Sequence, residues 1–139
     1  MNNKCEDFTN LEDLDIDLGK LGKASVLPDF TEYETYLDLN ERILYLDFDI
    51  NDALVDYSRR IIRWNRQDKD IPVEERKPIK LLINSYGGSL DSCLHFIDTL
   101  LLSKTPVYTY NVGVAMSAGF YIMLAGSKRF AYPNAQFLI

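Results

Sequence analysis

The sequence predicts an α/β domain, a mainly parallel sheet with flanking helices, and three observations predict it. Short runs rich in β-forming residues, at 42–48, 79–83 and 107–112, alternate with longer stretches of helical apolar spacing at 53–64 and 89–103. Glycine, proline or asparagine punctuates most of these alternations. At 139 residues the chain suffices for one domain with a real core, and strands alternating with helices inside one domain argue for parallel pairing.

The first 40 residues read differently from the rest. Residues 1–41 hold eleven Asp or Glu against three Lys, whereas 42–139 are slightly basic, so the net charge of -6 belongs to the leading segment. Acidic residues alternate there with Leu11, Leu14, Ile16, Leu18 and Leu21 before Gly19, Gly22 and Pro28 interrupt. We therefore expect residues 1–40 to form an acidic, mobile N-terminal segment, a solvated tail or one that orders on a partner, ahead of a domain at 41–139.

The domain elements follow in order. Arg42–Phe48 reads as a strand, and Asn51-Asp52 supplies residue types suited to the start of a helix. In 53–64, Leu54, Tyr57, Ile61 and Trp64 recur at helical spacing, with Arg59, Arg60 and Arg63 on a solvated face. The charged, proline-bracketed stretch 66–78 reads as a long exposed connection. Ile79–Ile83 suits a buried strand, and Gly87-Gly88 turns the chain into a second helix over about 89–103. That helix places Leu90, Leu94, Ile97 and Leu101 on one face and Asp91, His95 and Asp98 on another, and Thr105-Pro106 ends it. Val107–Val112 forms the next strand, Gly113–Ser117 a small-residue turn, and Met116–Ala125 a compact helix stopped by Gly126. Arg129–Ala131 and Gln136–Ile139 read as short strands around Pro133-Asn134.

Composition excludes several function classes. No basic stripe with interleaved aromatics appears, and an acidic leader repels phosphate, which argues against nucleic acid. The two cysteines, Cys5 and Cys93, lie far apart without a signal peptide, so reduced thiols in a cytoplasmic setting are expected. With His95 as the only histidine, no metal site is expected, and nothing implies a cofactor. No apolar run approaches the roughly 18 residues of a membrane span.

Two segments carry chemistry. Gly113-Val-Ala-Met-Ser-Ala-Gly119 puts Ser117 between strand and helix among residues with almost no side chain. A nucleophilic serine needs an exposed Oγ, room for a carbonyl carbon and nearby amide donors, and such a turn supplies all three. A helix cap or packing serine is the ordinary alternative. The Gly87-Gly88 turn follows a strand and opens a helix, so its amides can face a developing oxyanion with no Cβ in the way, though simple turn geometry explains it as well. Neither Gly-x-x-x-x-Gly-Lys-Ser/Thr nor Gly-x-Gly-x-x-Gly is present, which argues against nucleotide phosphates.

Taken together, Ile83-Asn-Ser-Tyr-Gly-Gly-Ser89, Ile97-Asp-Thr99, Gly113–Gly119, Ala125-Gly126 and Lys128-Arg-Phe-Ala-Tyr-Pro-Asn134 resemble the Clp protease proteolytic subunit family, ClpP, in order and spacing. The resemblance covers about 41–139. It implies the ClpP/crotonase fold, with Ser117 as the acyl-enzyme nucleophile, the amides of Gly88 and Ala118 as the oxyanion hole, and Gly87 shaping that loop. It also implies a homo-oligomer of heptameric rings stacked in pairs, and unfolded polypeptide substrates delivered by an ATP-dependent unfoldase. Tyr86 stands where the family usually has proline, and the 66–78 connection is longer than usual. In the family a histidine follows the strand matching 136–139 and an acidic residue comes later, so by this resemblance the domain is incomplete at its C-terminus and the 139-residue chain is expected to be inactive alone. His95 and Lys128 are the in-chain alternatives as base, each explained as well by surface charge. A non-catalytic ring or binding subunit and a crotonase-type acyl-CoA enzyme are the rival readings.

Overall fold

In the computed structural model the described residues are 29–139, so the expectations for the leader before Asp29, and for Cys5, lie outside them. Helix α1 (Phe30–Asn40) comes first, within the stretch expected to be mobile. Its last turn closes through the Glu41 amide on the Leu37 carbonyl, and Arg42 turns out of helix at φ 58°. Leu39 packs against the core, tying α1 to the domain.

Strand β1 (Ile43–Leu46), strand β2 (Ile79–Ser85) and strand β3 (Val107–Met116) lie side by side in parallel, with Leu44 opposite Leu81 and Leu81 opposite Thr109. The other edge of β3 takes two partners in succession. Strand β4 (Lys128–Ala131) pairs with Tyr108–Asn111, and strand β5 (Gln136–Leu138) pairs with Val114–Met116, both parallel. The fully parallel sheet bears out the fold class. Between strands run helix α2 (Leu54–Gln67), helix α3 (Leu90–Leu102) and the short helix α4 (Ala118–Leu124).

Alternation along the strands separates the two faces of the sheet. Leu44 and Leu46, then Ile79, Leu81 and Ile83, then Val107, Thr109 and Asn111 are buried, in one core with Ile61, Trp64, Phe96 and Ile122 of the helices. Fully enclosing a side chain such as Phe96 contributes about 2 to 3 kcal/mol. The reverse face carries Tyr45, Tyr108, Tyr110 and Phe130, with Tyr110 and Phe130 stacked at 4.6 Å.

Four sequence expectations are corrected. First, α3 turns a different stripe inward: Cys93, Phe96 and Leu100 are buried, whereas Leu90, Leu94 and Leu101 are exposed. The helix is apolar on most sides, so periodicity alone did not choose between stripes, and contact with α4 and the sheet did. Second, β3 runs through Gly113 to Met116, because β5 and the far end of β2 continue the ladder past the glycine. The turn is therefore Ser117 alone. Third, α2 continues to Gln67, beyond its last apolar anchor at Trp64.

Fourth, the 66–78 stretch is not simply an exposed connection. Asp68 is buried and receives two hydrogen bonds from the Arg42 guanidinium, at 2.6 and 2.7 Å, and one from Thr105 Oγ1 at 2.8 Å. Those bonds, Arg42 first, hold its carboxyl below the usual carboxylate range. Arg76, also buried, donates through Nε to the Ile71 carbonyl at 2.9 Å and closes the loop around a 3₁₀ turn at Val73–Glu75.

Candidate functional site

Ser117 is the single residue between β3 and α4, held at φ 49° and ψ -123°. A side chain in this region costs on the order of 1 to 3 kcal/mol, so neighbouring contacts must hold it there. Two do so. The Ser117 amide donates to the Leu138 carbonyl at 2.8 Å, and the Ser117 carbonyl accepts from the Phe120 amide at 3.0 Å. Its side chain is exposed and makes no capping hydrogen bond, which removes the helix-cap explanation.

The glycine turn lies against this serine. A Cβ on Gly87 would stand 2.9 Å from Ser117 Cβ, 2.9 Å from the Met116 carbonyl oxygen and 3.2 Å from the Ala118 amide nitrogen. Gly87 and Gly88 sit at φ 112° and 145°, which side chains rarely adopt. On the opposite edge, Ile50 donates to the Gly87 carbonyl and accepts from the Ser89 amide, both at 2.8 Å. Backbone groups alternate in direction along an extended segment, so this pairing turns the Gly88 amide away from Ile50. That is the edge where Met116 and Ser117 lie.

Three buried groups missed from sequence brace this arrangement. Ser85 Oγ donates to the Phe48 carbonyl at 2.7 Å and accepts from the Gly87 amide at 3.2 Å, which fixes the start of the turn. Asn111 Nδ2 donates to the Gln136 carbonyl at 2.8 Å and holds β5, whose Leu138 carbonyl restrains Ser117. Cys93 donates through Sγ to the Ala118 carbonyl at 3.3 Å, and burial pushes its thiol pKa up. The inward alternation Ile79, Leu81, Ile83, Ser85 was the available signal for Ser85. Asn111 and Cys93 gave none, because their partners are distant in sequence.

The in-chain candidates for a base are elsewhere. His95 is two residues from Cys93, about 200° around α3 from the side that touches Ala118, and it lines the groove between α2 and α3 with Asp98. Lys128 pairs with Tyr108 at the start of β3 and lies 5.1 Å from that ring's centroid. Tyr108 and Ser117 are nine residues apart, about 30 Å along an extended strand. The structure thus brings Gly87 against Ser117 and Ala118, with Gly88 next in the same turn and paired with Ile50, and leaves out His95 and Lys128. Tyr86 is exposed beside the turn.

Among the described residues no group of three His, Cys, Asp or Glu side chains gathers as metal ligands. No helix among them is long and apolar enough to cross a membrane.

Comparison with known proteins supplies the family. The chain is 34% identical over 116 residues to the ATP-dependent Clp protease proteolytic subunit 2 of Prochlorococcus marinus, covering 78% of this chain and 55% of that protein. It is 34% identical over 104 residues to proteolytic subunit 1 of Mycobacterium bovis, covering 73% and 49%. The chain spans about half the length of these curated relatives. Among solved structures, the ClpP protease catalytic domain from Plasmodium falciparum superimposes with TM-score 0.69 at 25% identity, covering 84% of this chain and 64% of that one. A point mutant of ClpP1 from Listeria monocytogenes gives 0.64 at 26%, covering 76% and 60%. Neither rival reading, a non-catalytic subunit or an acyl-CoA enzyme, is favoured by these matches. With the Clp protease family model matching residues 32–139, this chain belongs to the Clp protease family.

Proposed function

We propose that the chain supplies the nucleophile-bearing part of a Clp-type serine endopeptidase subunit. The observation that carries this reading is Ser117, exposed and uncapped at a strained strand-to-helix junction, with Gly87 against its Cβ. Ser117 Oγ attacks the carbonyl carbon of an unfolded polypeptide as a base takes its proton, and the carbonyl oxygen becomes an oxyanion. The amides of Gly88 and Ala118 receive that charge, and Gly87 lets the loop approach. Collapse forms the acyl-enzyme and expels the amine, which takes the proton, and water then releases the acid. The described residues place no histidine beside Ser117, so hydrolysis by these residues alone is expected to be slow.

Assembly belongs to the same proposal. The relatives' names describe ATP-dependent proteolytic subunits, which supports a subunit of a larger ATP-dependent assembly; we extend this to a homo-oligomer of heptameric rings served by an ATP-dependent unfoldase in the cytoplasm. The aromatic band of Tyr45, Tyr108, Tyr110 and Phe130 on the reverse of the sheet is surface suited to an assembly. A fluorophosphonate probe tests the site: stoichiometric labelling of the folded protein, lost in Ser117→Ala, is the expected result. A folded protein that remains unlabelled, or labelling that survives Ser117→Ala, overturns the assignment.

A further inference from the structure

Strand β3 changes partners part-way along one edge. It pairs with β4 as far as Asn111 opposite Ala131 and with β5 from Val114 opposite Gln136, so a gap opens at Val112 and Gly113. Residues 132–135 leave the sheet there through a turn that the Ala135 amide closes on the Tyr132 carbonyl at 2.9 Å. The Asn111 carbonyl accepts from the Tyr132 amide at this edge, also at 2.9 Å, and Gly113, two residues on, turns its amide the same way. A backbone amide shielded from water with no strand opposite needs another acceptor.

The fully buried Asn111 side chain closes the gap. Its Oδ1 accepts from the Gly113 amide at 3.1 Å and its Nδ2 donates to the Gln136 carbonyl at 2.8 Å. One carboxamide thus stands in for the missing ladder and fixes the first residue of β5 on β3. From there β5 reaches the nucleophile within two residues. The Leu138 carbonyl accepts from the Ser117 amide at 2.8 Å, and the Phe137 ring meets Phe120 of α4 edge-on at 6.1 Å. No residue of β5 is buried, so apolar burial anchors the strand weakly and its polar contacts matter more.

We infer that Asn111 is a positioning residue for Ser117, acting through β5 to keep the serine in its strained conformation. The inference rests on Ser117 being the nucleophile. At φ 49° and ψ -123° the serine stays only while its neighbours hold it. Loss of the Asn111 bond frees β5, the Leu138 carbonyl moves off the Ser117 amide, and the backbone relaxes, which carries Oγ away from its attacking position. A displacement of about 1 Å is enough to slow attack about 100-fold.

The test uses the full chain and measures fluorophosphonate labelling per folded molecule together with hydrogen exchange at single amides. Asn111→Val keeps a strand-forming side chain of similar size and removes both bonds. Its labelling rate should fall by about 10- to 100-fold. The Ser117 amide should exchange about 10-fold faster while the amides of β2 keep their protection. Phe137→Gly loosens β5 from its exposed side without touching Asn111, so it should slow labelling in the same way, and it decides the matter should Asn111→Val fail to fold. Ile61→Val, in the core on α2, should lower stability and leave the labelling rate of folded molecules unchanged. A parent that is never labelled overturns the peptidase reading, and this inference with it. A labelled parent beside a folded Asn111→Val variant of equal rate, or unchanged exchange at Ser117, overturns the inference alone. So does parent-like labelling of Phe137→Gly, or equal slowing in Ile61→Val, which would assign the effect to global stability.

Discussion

Gly87 and Ser117 touch across thirty residues of sequence: a Cβ on the glycine would stand 2.9 Å from Cβ of the serine. The contact makes the glycine turn and the serine junction one site, since neither loop can move without the other. Gly87→Ala would force the new methyl against Ser117 and the Met116 carbonyl at a φ of 112°. We expect a loss of about 2 kcal/mol in chemical denaturation, from backbone strain and overpacking together. Fluorophosphonate labelling of the folded fraction should slow at the same time, and unchanged labelling would separate the turn from the serine's chemistry.

Strain at Ser117 predicts a trade of stability for function. Ser117→Gly relieves the backbone at φ 49° and ψ -123°, offset in part by the freedom glycine gains when unfolded. A net gain of about 1 kcal/mol is expected, with labelling abolished. Thermal unfolding of the variant beside the parent checks it, and a lower midpoint would show that the serine side chain contributes more than the strain costs.

The Arg42–Asp68 pair makes stability depend on acid. The folded carboxyl titrates below its ordinary value because Arg42, then Thr105, bond its charged form. Its contribution is therefore complete above the unfolded value near ~4 and is lost as pH falls through the folded value. Asp68→Asn should cost about 3 kcal/mol at neutral pH, since it leaves Arg42 partly buried without its partner. Denaturation series between pH 7 and the acid limit should show a shallower decline in the variant than in the parent.

His95→Ala should leave both stability and labelling of Ser117 essentially unchanged, within about 0.5 kcal/mol for an exposed side chain. The histidine faces the α2/α3 groove, away from the side of α3 that meets Ala118. Peptide hydrolysis by the chain that disappears on this substitution would instead make His95 the base.

Element order was legible because period and punctuation are local properties. Ser89 starts α3 as its capping side chain, accepting from the Ser92 amide at 3.3 Å, and Gly126 follows α4 as expected. Legibility failed where two local patterns were equally good. In α3 the stripes Leu90-Leu94-Leu101 and Cys93-Phe96-Leu100 both repeat at helical spacing, and only packing against Ile122 and the sheet buries the second. Likewise Gly113 looked like a turn because its small side chain suits one, while β5 on one edge and β2 on the other kept it in strand.

Residue types alone determined that Ser117 would be exposed at a strand-to-helix junction, and that Gly87-Gly88 would turn a strand into a helix. Tertiary structure decided that the two meet, that Ser85, Asn111 and Cys93 brace them, and that His95 and Lys128 stay away. It also decided that Asp68, in a stretch that reads as solvated, is buried on Arg42. The physical reason is range: helical and strand periods are set by neighbours a few residues apart, whereas parallel register joins segments thirty residues apart, and the site exists only where that register places them.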